Sequence, residues 1–235
     1  GGKNNNQELL EGLDENDTRS FFGGTASGDN SGTLKYVSIR YTGAEIAQGN
    51  EIQGLTLGGV GNGTTVDYVE VFGSSDDGIE IFGGTVDIKH FAVWGAEDDD
   101  FDLDLGWRGQ GQFWFSLKRA DKGDHQGEWD GAIPDDNTVY TKTNIFNATF
   151  IGSGVGSANA DNDLGIILRD GAAINFCNSI VTDVNGKGVA VEDRNEDFDS
   201  YKKFLNNETS FKGNIWFVGG FTTLDIAATG MLIAS

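Results

Sequence analysis

The sequence predicts an all-β chain, a right-handed parallel β-helix, and three observations carry that prediction. An apolar pattern recurs every 22 to 24 residues; each period holds two or three short alternating segments; and Gly, Asn or Asp breaks them apart. Composition agrees. Gly 36 against Pro 1 supplies tight turns between strands that keep their backbone donors, and 16 Phe, 5 Trp and 5 Tyr give the chain something to bury.

The repeat can be followed residue by residue. Val66–Gly73 slid by 22 residues lands on Ile88–Gly95, apolar on apolar at the first, fourth, sixth and seventh places and Gly on Gly. The same slide takes Asp76-Asp77 to Asp98-Asp99 and Ile79-Glu80-Ile81 to Phe101-Asp102-Leu103. Leu55-Thr56-Leu57 precedes Ile79–Ile81 by 24, and Gly165–Asp170 recurs 23 later as Gly188–Asp193. Leu34–Tyr41, Phe113–Leu117, Ile145–Ile151 and Ile174–Val181 carry the same pattern. Leucine-rich repeats share the period but require a Leu-x-x-Leu-x-Leu-x-x-Asn signature that is missing. Three short strands per turn satisfy the pattern, with neighbouring turns about 4.8 Å apart and roughly ten turns in a rod of about 50 Å. Ile79, Ile81, Phe101 and Leu103 then point inward, and Glu80, Asp102 and Asp104 point outward.

Residues 1–235 read as one β-helix domain with an irregular segment over 1–30, in which Gln7–Leu13 is the helical hint. Excursions leave the rod near 43–51, 119–142, 153–164 and 194–213, and Glu192–Lys203 suggests a short helix. The opening Gly1-Gly-Lys-Asn-Asn-Asn6 reads as the middle of a longer secreted chain. No signal peptide and no apolar run of about 18 residues is present in the sequence. A lone Cys177 in an apolar run reads as a small buried hydrophobe and allows no disulfide within the chain. Four Asn-x-Ser/Thr sequons begin at Asn16, Asn62, Asn147 and Asn207.

A net charge of −21 argues against nucleic acid and anionic membrane surfaces, which would be repelled, and fits cation binding or simple solubility. Sliding the sequence by 22 residues makes that charge local: Asp76 and Asp77 stack on Asp98 and Asp99, and Glu80 on Asp102. Glu128 and Asp130 continue the column, with Trp129 inward. Like charges about 5 Å apart on adjacent strands repel, so they need raised pKa values, cations or basic neighbours. Oxygen-only donors suit Ca²⁺, expected near Asp98, Asp99, Asp100 and Asp102 with Asp76 and Asp77 on the rung before. A solvated acidic face is the alternative. Asp98–Asp104 is no EF-hand loop, because the Gly at the sixth place and the Glu at the twelfth are missing.

Catalytic candidates are weaker. Lys118, Arg119, Asp102 and His125 lie near the column, where an acid and a base could act on a glycosidic bond, but a Lys or Arg beside acids is more commonly an ion pair. His90 reads as a surface or structural histidine. Trp94, Trp114 and Trp216 sit in apolar strands and read as core. Trp107, at the turn Gly106–Gly109, is the best candidate for a sugar platform, and Arg108, Glu128 and Asp130 are the other ligand-binding candidates.

The run Asp29–Tyr41, then Asn50–Gly61, Asp76–Val86, Gly106–Gly109 and Gly165–Gly171, resembles a large group of bacterial secreted proteins with a pectin-lyase-like right-handed β-helix. Those proteins are common in marine Bacteroidota and some Proteobacteria, often as surface lipoproteins or secretion cargo. The resemblance covers residues 29 to 193 and implies a location outside the cytoplasm or on the outer-membrane surface, without implying an activity. Two function classes follow. The favoured one is a non-catalytic, Ca²⁺-stabilised surface module that adheres to or binds polysaccharide or another cell-surface component. The other is a polysaccharide lyase or glycoside hydrolase with the acidic column in its groove.

Overall fold

The computed structural model describes residues 7–47, 50–134, 138–220 and 232–233. Its strands stack in parallel, as the 22-residue repeat requires. Val66 pairs with Ile88, Val69 with Phe91 and Phe72 with Trp94, and Ile79 pairs with Phe101 and Glu80 with Asp102. The 24- and 23-residue steps hold as well, placing Leu55 on Ile79 and Ile166 on Val189. A parallel sheet wraps nearly closed around one axis, making the chain a parallel β-helix.

Three faces make up each coil. The first carries Leu55–Gly58, Ile79–Phe82, Phe101–Asp104, Gly127–Asp130, Leu164–Arg169 and the end of Ile180–Val191. The second and third share long strands that bend at one residue: Thr33–Arg40, Thr65–Phe72, Ile88–Trp94 and Gln110–Leu117. Later coils break there, into Lys142–Phe146 and Thr149–Ile151, or Ala173–Cys177 and the start of Ile180–Val191. The bend is a left-handed residue in each of seven successive described coils: Tyr36, Tyr68, His90, Phe113, Asn147, Asn178 and Gly213, with φ between 46° and 67°. Asn and Gly take this conformation readily; an aromatic side chain pays for it. Stacking offsets the cost here. The Tyr36, Tyr68, His90 and Phe113 rings lie 5.1, 4.3 and 4.8 Å apart in succession, and His90 Nδ1 is 2.9 Å from Asp67. His90 is structural.

Inside, side chains of successive coils stack on one another. Ile79, Ile81, Phe101 and Leu103 are fully buried; the Phe101 ring stacks on Trp114 at 4.4 Å and on Phe150 at 5.6 Å. Trp114, Trp129 and Trp216 are core, as expected. Trp94 is not: it is 48% exposed. The left-handed residue His90 interrupts the alternation, so Phe91 and Val93 face inward and Trp94 outward.

Other expectations are corrected. Among the described residues the second face has seven rungs and the third has eight, against the roughly ten turns expected of the whole chain. Gln7–Leu9 is no helix but a strand paired antiparallel with Phe21–Gly23. This hairpin lies on the outside of the first face, where Phe22 meets Phe82 at 5.9 Å and Leu10 and Phe22 close over Gly58. The expected helix is shorter and later, Ser200–Leu205, because the Asp199 carboxylate accepts from Lys202 N at 2.8 Å and starts it there. Cys177 is half-buried on an outward position rather than in the core. The excursion near 43–51 is the hairpin Glu45–Ala47 with Asn50–Glu51. Gly1–Asn6 lies outside the described residues.

Candidate functional site

The acidic residues converge where the third face turns into the first. Four overlapping groups bring carboxylate or imidazole atoms within 4.8 Å of one another: Asp76 with Asp77 and Asp98, Asp77 with Glu80 and Asp102, Asp98 with Asp99 and Asp124, and Asp99 with His125 and Glu128. Parallel pairing is the cause, since Asp102 lies between Glu80 and Glu128 on successive strands. Asp98 stands at the solvent edge of the cluster, and its other members are buried or half-buried. Asp77 is 7% exposed, Glu80 4% and Asp99 5%. Glu80 faces outward from the coil, as expected, but the N-terminal hairpin covers that side and brings Glu11 near it.

Neutralising bases divide the cluster into two halves. Toward the C-terminal side, Arg169 grips Asp130 with two donors at 2.9 and 2.8 Å and also bonds Glu128. His125 Nδ1 lies 3.0 Å from Asp99, 3.4 Å from Asp124 and 3.6 Å from Glu128. Burial lowers the His125 pKa, but the Asp99 bond and the surrounding carboxylates outweigh it and raise it above the usual value. Burial and the Asp99 charge push Glu128 upward, while Arg169 opposes them.

Asp77, Glu80 and Asp102 have no base among the described residues. Burial raises all three. Glu80 reaches about 9, with the Glu11 and Asp104 charges adding to burial. Asp77 rises well above the ordinary range through burial and the Asp99 charge, and Asp102 through burial and the Asp77 charge. Asp77 Oδ1 accepts from Asp99 N at 3.0 Å. No donor group reaches Glu80 Oε2 or Asp102 Oδ1, both buried, and a hydrogen bond between the two carboxyl groups needs a proton shared between them. Unsatisfied carboxylate oxygens cost free energy unless a proton or a cation occupies the space between them. Three converging oxygen donors are the kind of ligand set that a hard divalent cation takes, as part of its six to eight oxygens.

The remaining candidates go elsewhere. Asp100 turns inward, accepting from Ser116 and pairing with Lys118 at 3.3 Å, both charged side chains fully buried; it is removed from the cation set. Lys118 also bonds the Asp98 carbonyl, locking the turn that presents Asp98 and Asp99. Arg119 faces away from the acidic rungs, on Glu97 at 3.1 Å and Asp121 at 2.9 Å. Trp107 is no platform: it is fully buried, its Nε1 donating to Val86 O at 3.0 Å. Gly106, at φ 84°, turns the chain so that this ring enters the core. Arg108 lies with Tyr140, donating to its carbonyl at 2.9 Å. Sequence reasoning missed Asp124 and Arg169 as members of the cluster. Arg169 was readable from its register opposite Asp130; Asp124 sits in an excursion that no repeat reaches.

A parallel β-helix with a buried carboxylate column at one edge is the class of protein that this fold and site define. The chain belongs to the family of the pectate-lyase-like β-helix domain, whose model matches residues 3–229, well beyond the 29 to 193 carried by motif resemblance. Neither the curated proteins nor the solved structures contain a match to it. No helix among the described residues is long and apolar enough to cross a membrane.

Proposed function

We propose that the chain is a non-catalytic extracellular or cell-surface β-helix module, held together by Ca²⁺ and binding polysaccharide or another cell-surface component. The family supports the extracellular, carbohydrate-related setting. The observation that carries the cation is the base-free group Asp77, Glu80 and Asp102, with two buried oxygens that no donor group reaches. Those three side chains would hold the ion, and the ion would replace the protons that burial otherwise forces onto them. A structural role is favoured over catalysis because the basic candidates are already engaged: Lys118 with Asp100, Arg119 with Glu97 and Asp121, His125 with Asp99.

Calorimetric titration of the chelator-stripped chain with CaCl₂ tests this. Saturable uptake is expected, weakened about tenfold or more in Glu80→Gln and Asp102→Asn. No uptake, or equal uptake by both variants, would sink the cation reading. Incubation with alginate, pectin and sulfated polysaccharides is expected to leave them intact. New reducing ends or unsaturated products absorbing in the ultraviolet would overturn the non-catalytic half.

A further inference from the structure

A second feature lies just across the turn from the acidic rungs, on the outer edge of the third face. A cleft of about 400 Å³ is lined by Tyr41, Phe72, Trp94, Ser75, Glu97 and Arg119. Pockets for small ligands begin at about 300 Å³. Tyr41 is 75% exposed and Trp94 48%. Phe72 stands between them, edge-on at 5.5 Å to Tyr41 and 4.6 Å to Trp94.

The backbone makes room for this cleft. Tyr41, Gly73 and Gly95 occupy equivalent positions, each donating its N–H to the next rung, and all three are left-handed, with φ of 56°, 65° and 71°. Two of the three positions use glycine; the first carries a tyrosine and bears the strain. A Cβ at Gly73 would lie 3.3 Å from the Tyr41 ring, and one at Gly95 would lie 3.1 Å from the Arg119 stem. Two glycines therefore form the floor, with an aromatic ring at one end and a guanidinium at the other. Arg119 is held by Glu97 and Asp121 through three donors. A guanidinium has five N–H groups, so two remain. Ser75 and Glu97 add a hydroxyl and a carboxylate at the rim.

We infer that this cleft binds an uncharged saccharide, one or two rings of a neutral polysaccharide, with Trp94 and Tyr41 as stacking faces and Arg119, Glu97 and Ser75 as hydroxyl partners. A sugar ring presents an apolar C–H face and a rim of hydroxyls, the same division that the cleft has. Anionic sugars and a second copy of the chain are disfavoured by the net charge of −21. The nearby cations do not reverse this, because Arg40, Arg119 and Lys122 are each paired to a carboxylate. The inference rests on the glycan-binding half of the proposed function and gives it a location.

Tryptophan fluorescence tests it, because Trp107, Trp114, Trp129 and Trp216 are buried and Trp94 is open to an added quencher. The whole chain is titrated with soluble β-glucan, mannan and xylan oligosaccharides, and with alginate and pectate oligomers as anionic controls. A saturable change with a neutral oligosaccharide is expected, with Trp94 protected from acrylamide. Trp94→Ala and Tyr41→Ala should each weaken binding about tenfold or more at unchanged melting temperature, and Trp94→Phe should retain most of it. Neutral-glycan binding that survives both alanine variants would overturn the cleft and leave the broader reading standing. Binding of anionic oligomers alone would overturn it in the same way. So would Trp94 protection that grows with protein concentration in the absence of sugar, the mark of a second copy. Failure of the unmodified chain to bind any glycan would remove the cleft and the glycan-binding half together.

Discussion

Lys118 and Asp100 form a fully buried ion pair beneath the acidic turn. Burial raises Asp100 to about 6, and Lys118 and Ser116 hold it from going further. Removing one member of such a pair leaves an uncompensated charge, which costs about 3–5 kcal/mol. Lys118→Met is therefore expected to destabilise by that amount in urea unfolding, and adding Asp100→Asn should recover part of it. A loss below about 1 kcal/mol in the single variant would show that the pair is not what holds the turn. In the sequence Asp98, Asp99 and Asp100 look alike. What separates them is the direction each side chain takes at the turn, and that depends on Ser116 and Lys118 one coil later. The same limit hid Trp94, since a single left-handed residue at His90 reversed the facing of the rest of its strand.

At the level of elements, the N-terminal hairpin turns an exposed acidic strand into a buried one. Phe22 and Leu10 cover the first face, and Glu11 adds a charge beside Glu80. A chain lacking residues 1–24 is expected to melt at lower temperature. Its Glu80 carboxyl, followed by NMR, should titrate well below the value of about 9 that it has in the whole chain. An unchanged Glu80 titration would mean that neighbouring rungs, not the hairpin, desolvate it. The strands were legible because inward positions repeat as Ile79 over Phe101 and Ile81 over Leu103. The hairpin was not. Gln7–Leu13 has helical spacing on its own, and only pairing with Phe21–Gly23, outside any repeat, makes Gln7–Leu9 a strand.

Over the whole molecule, stacking coils in parallel adds like charges along one edge as surely as it adds apolar side chains inside. Phe101 meets Trp114 and Phe150 in the core while Asp102 meets Glu80 and Glu128 outside it. The repeat therefore announced both the core and the column, but not which half of the column would find bases. Asp77, Glu80 and Asp102 have folded-state pKa values raised above the ordinary 3.8 and 4.5. The folded chain then binds more protons than the unfolded one, so their contribution is fully present below those ordinary values. It is lost as pH rises through the folded values, up to about 9 for Glu80. Under the proposed function, a bound divalent cation would take the protons' place and remove that loss. The direct measurement is the melting temperature of the whole chain at about pH 5 and about pH 9, once in EDTA and once in excess CaCl₂. In EDTA it should fall from the lower pH to the higher; in Ca²⁺ the fall should be largely abolished, so that stabilisation by the ion grows with pH. Superimposable melts in EDTA and Ca²⁺ at both pH values would contradict the account.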